Sequence, residues 1–70
     1  MRTHRYRITI SGELDEAGRE VFADFVIEPD GGHTVLIGDL DQAALYGALN
    51  RIQWLGLALV EVRRLADGAN

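Results

Sequence analysis

Residues 10–18 read ISGELDEAG and residues 36–44 read LIGDLDQAA, so a chain of seventy residues writes nearly the same phrase twice. Each copy leaves an apolar run, passes through a glycine and an acid, and arrives at an Asp followed by helix-forming residues. Glycine suits a sharp turn, and an Asp oxygen can accept from the free N–H groups of a first helical turn. The repeat therefore predicts two strand-to-helix corners, with Gly12-Glu13-Leu14-Asp15 and Gly38-Asp39-Leu40-Asp41 as equivalents. Its meaning is structural.

The segments around those corners follow. Tyr6-Arg7-Ile8-Thr9-Ile10-Ser11 alternates apolar with polar, the period of a strand with one buried face. Residues 15–22 place Ala17, Val21 and Phe22 at helical spacing behind Asp15, at the cost of Gly18, which weakens a helix by about 1 kcal/mol relative to Ala. The runs 25–28 and 34–37 flank Pro29-Asp30-Gly31-Gly32-His33, whose proline and paired glycines predict a hairpin turn. The clearest helix spans residues 41–55. Leu45, Ala48, Leu49, Ile52 and Leu55 form its apolar stripe, Asp41 its cap, and Leu40 a staple onto Leu45. Gly56 suits the left-handed residue that closes it. Residues 57–64 resume as a strand with Ala58, Val60 and Val62 on one face, and residues 66–70 are expected to form a frayed tail.

Strand, helix, strand, strand, helix, strand is the order of an α+β ferredoxin-like βαββαβ sandwich: a four-stranded antiparallel sheet with two helices on one face. The rival is a β-rich fold in which residues 15–22 form a loop or an extended hairpin, leaving three strands before one helix. Residues 1–70 are read as one small domain, and a chain this short buries only about 60% of its unfolded surface. With no Cys to form a disulfide or a thiolate metal site, self-association is the remaining common support for so small a core.

Composition excludes more than it assigns. All seven basic residues are Arg and the net charge is −4, with nine carboxylates between Glu13 and Asp41 against Arg19 alone. That balance lacks the positive field that supplies most non-specific nucleic-acid affinity. No stretch approaches the length of a membrane span, and MRTHRYRITISGEL lacks the apolar core of a signal peptide, so a cytoplasmic location is expected.

No constellation for catalysis is legible. Glu13, Asp15, Asp39 and Asp41 sit at corners that antiparallel strands place at opposite ends of the sheet, and each acid is accounted for by capping and the helix dipole. His4 and His33, the two imidazoles, have no companion at ligand spacing. Ser11 lacks a nucleophile elbow, and Gly31-Gly32 lacks the Lys and Ser/Thr of a phosphate loop. No catalytic residue, metal ligand or cofactor is assigned.

Two surfaces are candidates for contact. The sheet face away from the helices carries Arg5, Arg7, Thr9 and Ser11, and is expected to carry the apolar Val26, Leu36 and Leu59 as well. Its bland reading is a solvated face with weak cross-strand pairs between Arg7 and Glu61 or Arg63; its sharper one is an anion- or partner-binding surface. On the second helix, Trp54 lies half a turn from Leu45, beside Ala43, Gly47 and Asn50. Small residues next to an aromatic make a trough with a ridge, suited to a facing helix or strand.

Residues 38–65, GDLDQAALYGALNRIQWLGLALVEVRRL, resemble the C-terminal half of a group of short uncharacterised proteins from high-GC, actinobacterial-type bacteria. The shared features are the corner GDLDQAAL, the helix core ALNRI and the closing LGLALVEV. The resemblance implies no catalytic residue. Near the position of Trp54 members of the group usually carry a charged residue, and this chain departs from them there. The expected function is a non-enzymatic interaction or regulatory module acting as a homodimer or binding a protein partner. The alternative is a small dimeric enzyme or ligand sensor with a pocket between sheet and helices.

Overall fold

The computed structural model describes residues 2–65; the expected tail at 66–70 lies outside the described residues. It is a mixed α+β structure with two helices and an open antiparallel sheet of four strands, lying side by side in the order Val26–Asp30 (β2), His33–Leu40 (β3), His4–Ser11 (β1), Leu59–Arg64 (β4). The first strand, β1 (His4–Ser11), lies in the middle and pairs with β3 (His33–Leu40) on one side and β4 (Leu59–Arg64) on the other. The short β2 (Val26–Asp30) forms the outer edge beyond β3.

The helix α1 (Glu16–Val21) does form, and the extended alternative for residues 15–22 is not what the chain adopts. Asp15 caps it, its Oδ1 accepting from the Gly18 N–H at 2.8 Å. The buried side differs from the periodicity reading. Leu14, Gly18 and Phe22 turn inward while Ala17 and Val21 are exposed. Six residues give under two turns, too few for one stripe to hold, so the flanking side chains do the packing. A Cβ on Gly18 would lie 3.0 Å from Leu14 Cδ2, a close contact from which the leucine side chain would have to shift.

The hairpin is tighter than the flanking runs suggest. Pro29, Asp30 and His33 belong to the strands, leaving Gly31-Gly32 as the whole turn. Both glycines take positive φ, 53° and 89°, the geometry of a two-residue turn whose twist matches its strands. Pro29 sits on the edge strand, where a missing N–H costs least.

The two corners are equivalent only at their caps. Asp41 Oδ1 accepts from the Ala44 N–H at 2.7 Å, as Asp15 does for α1, and Leu14 and Leu40 are both buried. Gly12 leaves the sheet with φ 87°, whereas Gly38, Asp39 and Leu40 remain in β3 because Arg5 and His4 of β1 extend the ladder to meet them. A Cβ on Gly38 would lie 3.0 Å from the Phe25 ring, so this glycine makes room rather than a turn.

The longer helix, α2 (Gln42–Trp54), buries Ala48 and Ile52 and half-buries Leu45 and Leu49. Leu55, expected at the end of that stripe, is exposed as the C-cap. The helix closes with Gly56 at φ 69°, its N–H donating to Gln53 O and the Leu57 N–H to Ile52 O, the paired bonds of a Schellman cap. The β4 strand carries a bulge: Glu61 faces Thr9 but Leu59, not Val60, faces Ile10. The extra residue breaks the alternation expected for Ala58, Val60 and Val62.

One cluster forms the core. Ile8, Ile10 and Leu36 from the sheet meet Leu14 and Phe22 beside α1, Phe25, Leu40, and Ala48 and Ile52 from α2. Arg51 joins the elements from outside: its Nη1 donates to Val21 O at 2.6 Å, lies 3.5 Å from Asp24 Oδ1, and its guanidinium stacks 5.2 Å and 5.6 Å from the Phe22 and Phe25 ring centres. Arg51→Ala is expected to cost about 1–2 kcal/mol, since it removes a charge-assisted hydrogen bond and two cation–π contacts. Arg51→Lys should recover less than half, because an ammonium lacks the planar fork. Urea midpoints of the three proteins would test both.

Candidate functional site

The open sheet face is set by register. Across the strands run the rows Val26, Ile37, Arg7, Arg63 and Glu28, Val35, Thr9, Glu61, with Arg5 beside Asp39 at one end. Val26 and Arg7 therefore share this face as expected. Leu36 does not: it is fully buried, aligned with Ile27 and Ile8 on the core side. A two-residue turn pairs Val26 with Ile37 and Ile27 with Leu36, and one step of register moves every side chain to the other face. Leu59 is also displaced from the open face, because the β4 bulge aligns it with Ile10.

Arg5 is engaged. Its Nε and Nη2 donate to Asp39 Oδ1 and Oδ2 at 3.0 Å and 3.3 Å, a two-pronged ion pair. That hydrogen bonding holds the Asp39 carboxyl below the usual carboxylate range, and Asp39 in turn raises Arg5. Both side chains are more than half exposed, so the pair adds little stability. Arg7 stands between Ile37 and Arg63 in its row, with Arg63 rather than Glu61 opposite. Of the corner acids, Asp15 and Asp41 cap helices and Asp39 binds Arg5. Among the described residues no group of three His, Cys, Asp or Glu could hold a metal ion. His4 and His33 fall at opposite ends of the sheet, aligned with Leu40 and Ser11.

The helix face is open. Ala43, Gly47, Asn50 and Trp54 are all exposed, Trp54 at 84%. Beside them Tyr46, Gly47, Leu49, Asn50 and Gln53 line a shallow depression of about 430 Å³. A second groove, of about 280 Å³, lies between the start of α1 and the end of α2, lined by Leu14, Val21, Leu55 and Leu57 with Glu13 and Asp15. The periodicity could not disclose the third exposed apolar region: Leu59, Val60 and Val62 of β4 stand 49%, 51% and 37% exposed on the sheet edge. The run LALVEV announces a strand without saying that it is an outermost one.

A family model described as a domain of unknown function, DUF8691, matches residues 5–63. The chain belongs to that family. The DUF8691 match takes in both helices, the glycine turn and the edge strand as far as Arg63, so the surfaces above fall within the family's domain. No curated protein and no solved structure matches the chain. Among the described residues no helix is long and apolar enough to cross a membrane.

Proposed function

We propose that this DUF8691 domain is a non-enzymatic interaction module: a ferredoxin-like βαββαβ unit, with both helices on one sheet face, that works in the cytoplasm as a homodimer or binds a protein partner. The observation that carries this reading is the exposed apolar surface. Trp54, Val26, Val60, Leu59, Leu55 and Val62 all lie 37% or more exposed in a chain whose fully buried large side chains are Phe22, Ile8, Ile10 and Leu36. So much apolar area outside so small a core marks contact surfaces. The strand order β2-β3-β1-β4 supports the ferredoxin-like assignment, and the Arg-only basic set supports a high-GC bacterial source. Net charge −4 argues against a nucleic-acid partner.

A small enzyme or ligand sensor is the second reading, favoured by the groove between α1 and the end of α2, where Glu13 and Asp15 flank apolar walls. It is the weaker one because Ile8, Ile10, Leu36 and Phe22 fill the space between sheet and helices. Sedimentation over the micromolar range tests the homodimer. The parent should run with the mass of two chains, and Trp54→Ala and Val26→Glu separate the helix face from the sheet face. A parent that stays monomeric at every concentration removes self-association.

A further inference from the structure

We propose that β4 pairs antiparallel with β4 of a second copy about a two-fold axis at Val62, joining two four-stranded sheets into one. This deepens the homodimer reading and rests on it. The sheet has two outer strands, and they differ. The β2 strand is short, contains Pro29, and carries only the acids Glu28 and Asp30 as charges, so it repels its own copy. The β4 strand, LVEVRR, has no proline, carries both signs, and is exposed along its whole length.

Backbone geometry limits how two such edges can meet. The Leu65 N–H donates to Arg5 O at 2.8 Å, and in register with it Arg63 and Glu61 pair with Arg7 and Thr9. In an antiparallel ladder these alternate residues turn their N–H and C=O inward to β1, so Val62 and Arg64 turn theirs outward. Two β4 edges therefore bond only with even-numbered residues facing even-numbered ones. Val62 on Val62 places Glu61 opposite Arg63 of the second copy, twice, and the regular ladder ends at the bulge, where Val60 is the extra residue. The next register in one direction sets Glu61 on Glu61, and in the other Arg63 on Arg63. Opposite charges directly across a strand pair stabilise and like charges destabilise, so one register of the three is self-complementary.

The surroundings favour the same arrangement. Within its own sheet Arg63 lies across from Arg7, a like charge, and its Nη2 is 3.3 Å from Glu61 Oε2. A second copy adds a carboxylate on Arg63's other side and completes a ring of alternating charges. On the core side, Val62 covers its counterpart, removing from water a valine that is 37% exposed in the single chain. So short a contact places the dimer in the weak, reversible class.

Sedimentation of the parent, Glu61→Arg, Arg63→Glu, the double variant and an equimolar mixture of the two single variants tests it. Each single variant should dimerise about tenfold or more weakly, because both cross-strand pairs turn repulsive. The mixture and the double variant should recover, since each restores opposite charges across the axis. Recovery in the mixture also excludes misfolding as the cause of loss. Single variants that dimerise as the parent does, or a mixture and double variant that fail to recover, overturn the edge pairing and leave the homodimer to another surface. A parent monomeric throughout overturns both.

Discussion

Phe22→Ala is expected to remove most of the stability of this domain. Phe22 is fully buried where α1 ends, meets Phe25 edge to face at 5.9 Å, and is roofed by the Arg51 guanidinium. Truncating a buried Phe costs about 3–5 kcal/mol through lost transfer energy and the cavity left behind. A chain of this length holds roughly 4–10 kcal/mol in all. The cavity cannot close cheaply, because β3 and α2 hold the facing walls and Phe25 is itself wedged against Gly38. Phe22→Leu, which keeps most of the volume but loses both ring contacts, should cost clearly less than Phe22→Ala. Urea unfolding of the three proteins would check this, and an alanine variant with a midpoint near the parent's would mean that Phe22 is not at the centre of the core.

Leu36→Glu should unfold the protein at neutral pH while Val26→Glu leaves it folded. Leu36 lies between Ile8 and Ile27 on the core face, fully buried, so an introduced carboxylate would lose its hydration without a partner. An unpaired buried charge costs several kcal/mol, and the group escapes by taking up a proton. The sign follows from that. A carboxyl whose folded-state pKa is raised above its unfolded value binds more protons when folded, so the penalty is full above the raised pKa and shrinks as pH falls from there towards the unfolded value. Helical circular dichroism should therefore return on mild acidification. Val26 is 59% exposed on the open face, where a substitution changes stability by about 0.5 kcal/mol or less. Equal tolerance of the two would show that Leu36 faces water, and with it that the turn register is wrong.

These two residues mark how far the sequence alone reaches. Element types were legible because they rest on neighbouring residues: the Asp15 and Asp41 caps, the Ala48 and Ile52 stripe, and the Gly56 closure all form in the structure. So did the exposure of the Trp54 face, since helical periodicity alone separates it from Leu45. The parity of the sheet was not legible. Alternation says that residues two apart share a face, but not which face, and that choice depends on the number of residues in the turn. Gly31 and Gly32 both at positive φ make it two, which sends Val26 outward and Leu36 inward. In β4 one extra residue at the bulge reverses the alternation again and moves Leu59 from the Arg7 face to the line of Ile10. Tertiary packing also decided that Gly18 and Gly38 stand close against Leu14 and Phe25, and that Arg51 ties α2 to the aromatic pair. Local patterns determine where strands and helices begin and end; register, bulges and close approach are relations between distant segments, and only the folded chain brings those segments together.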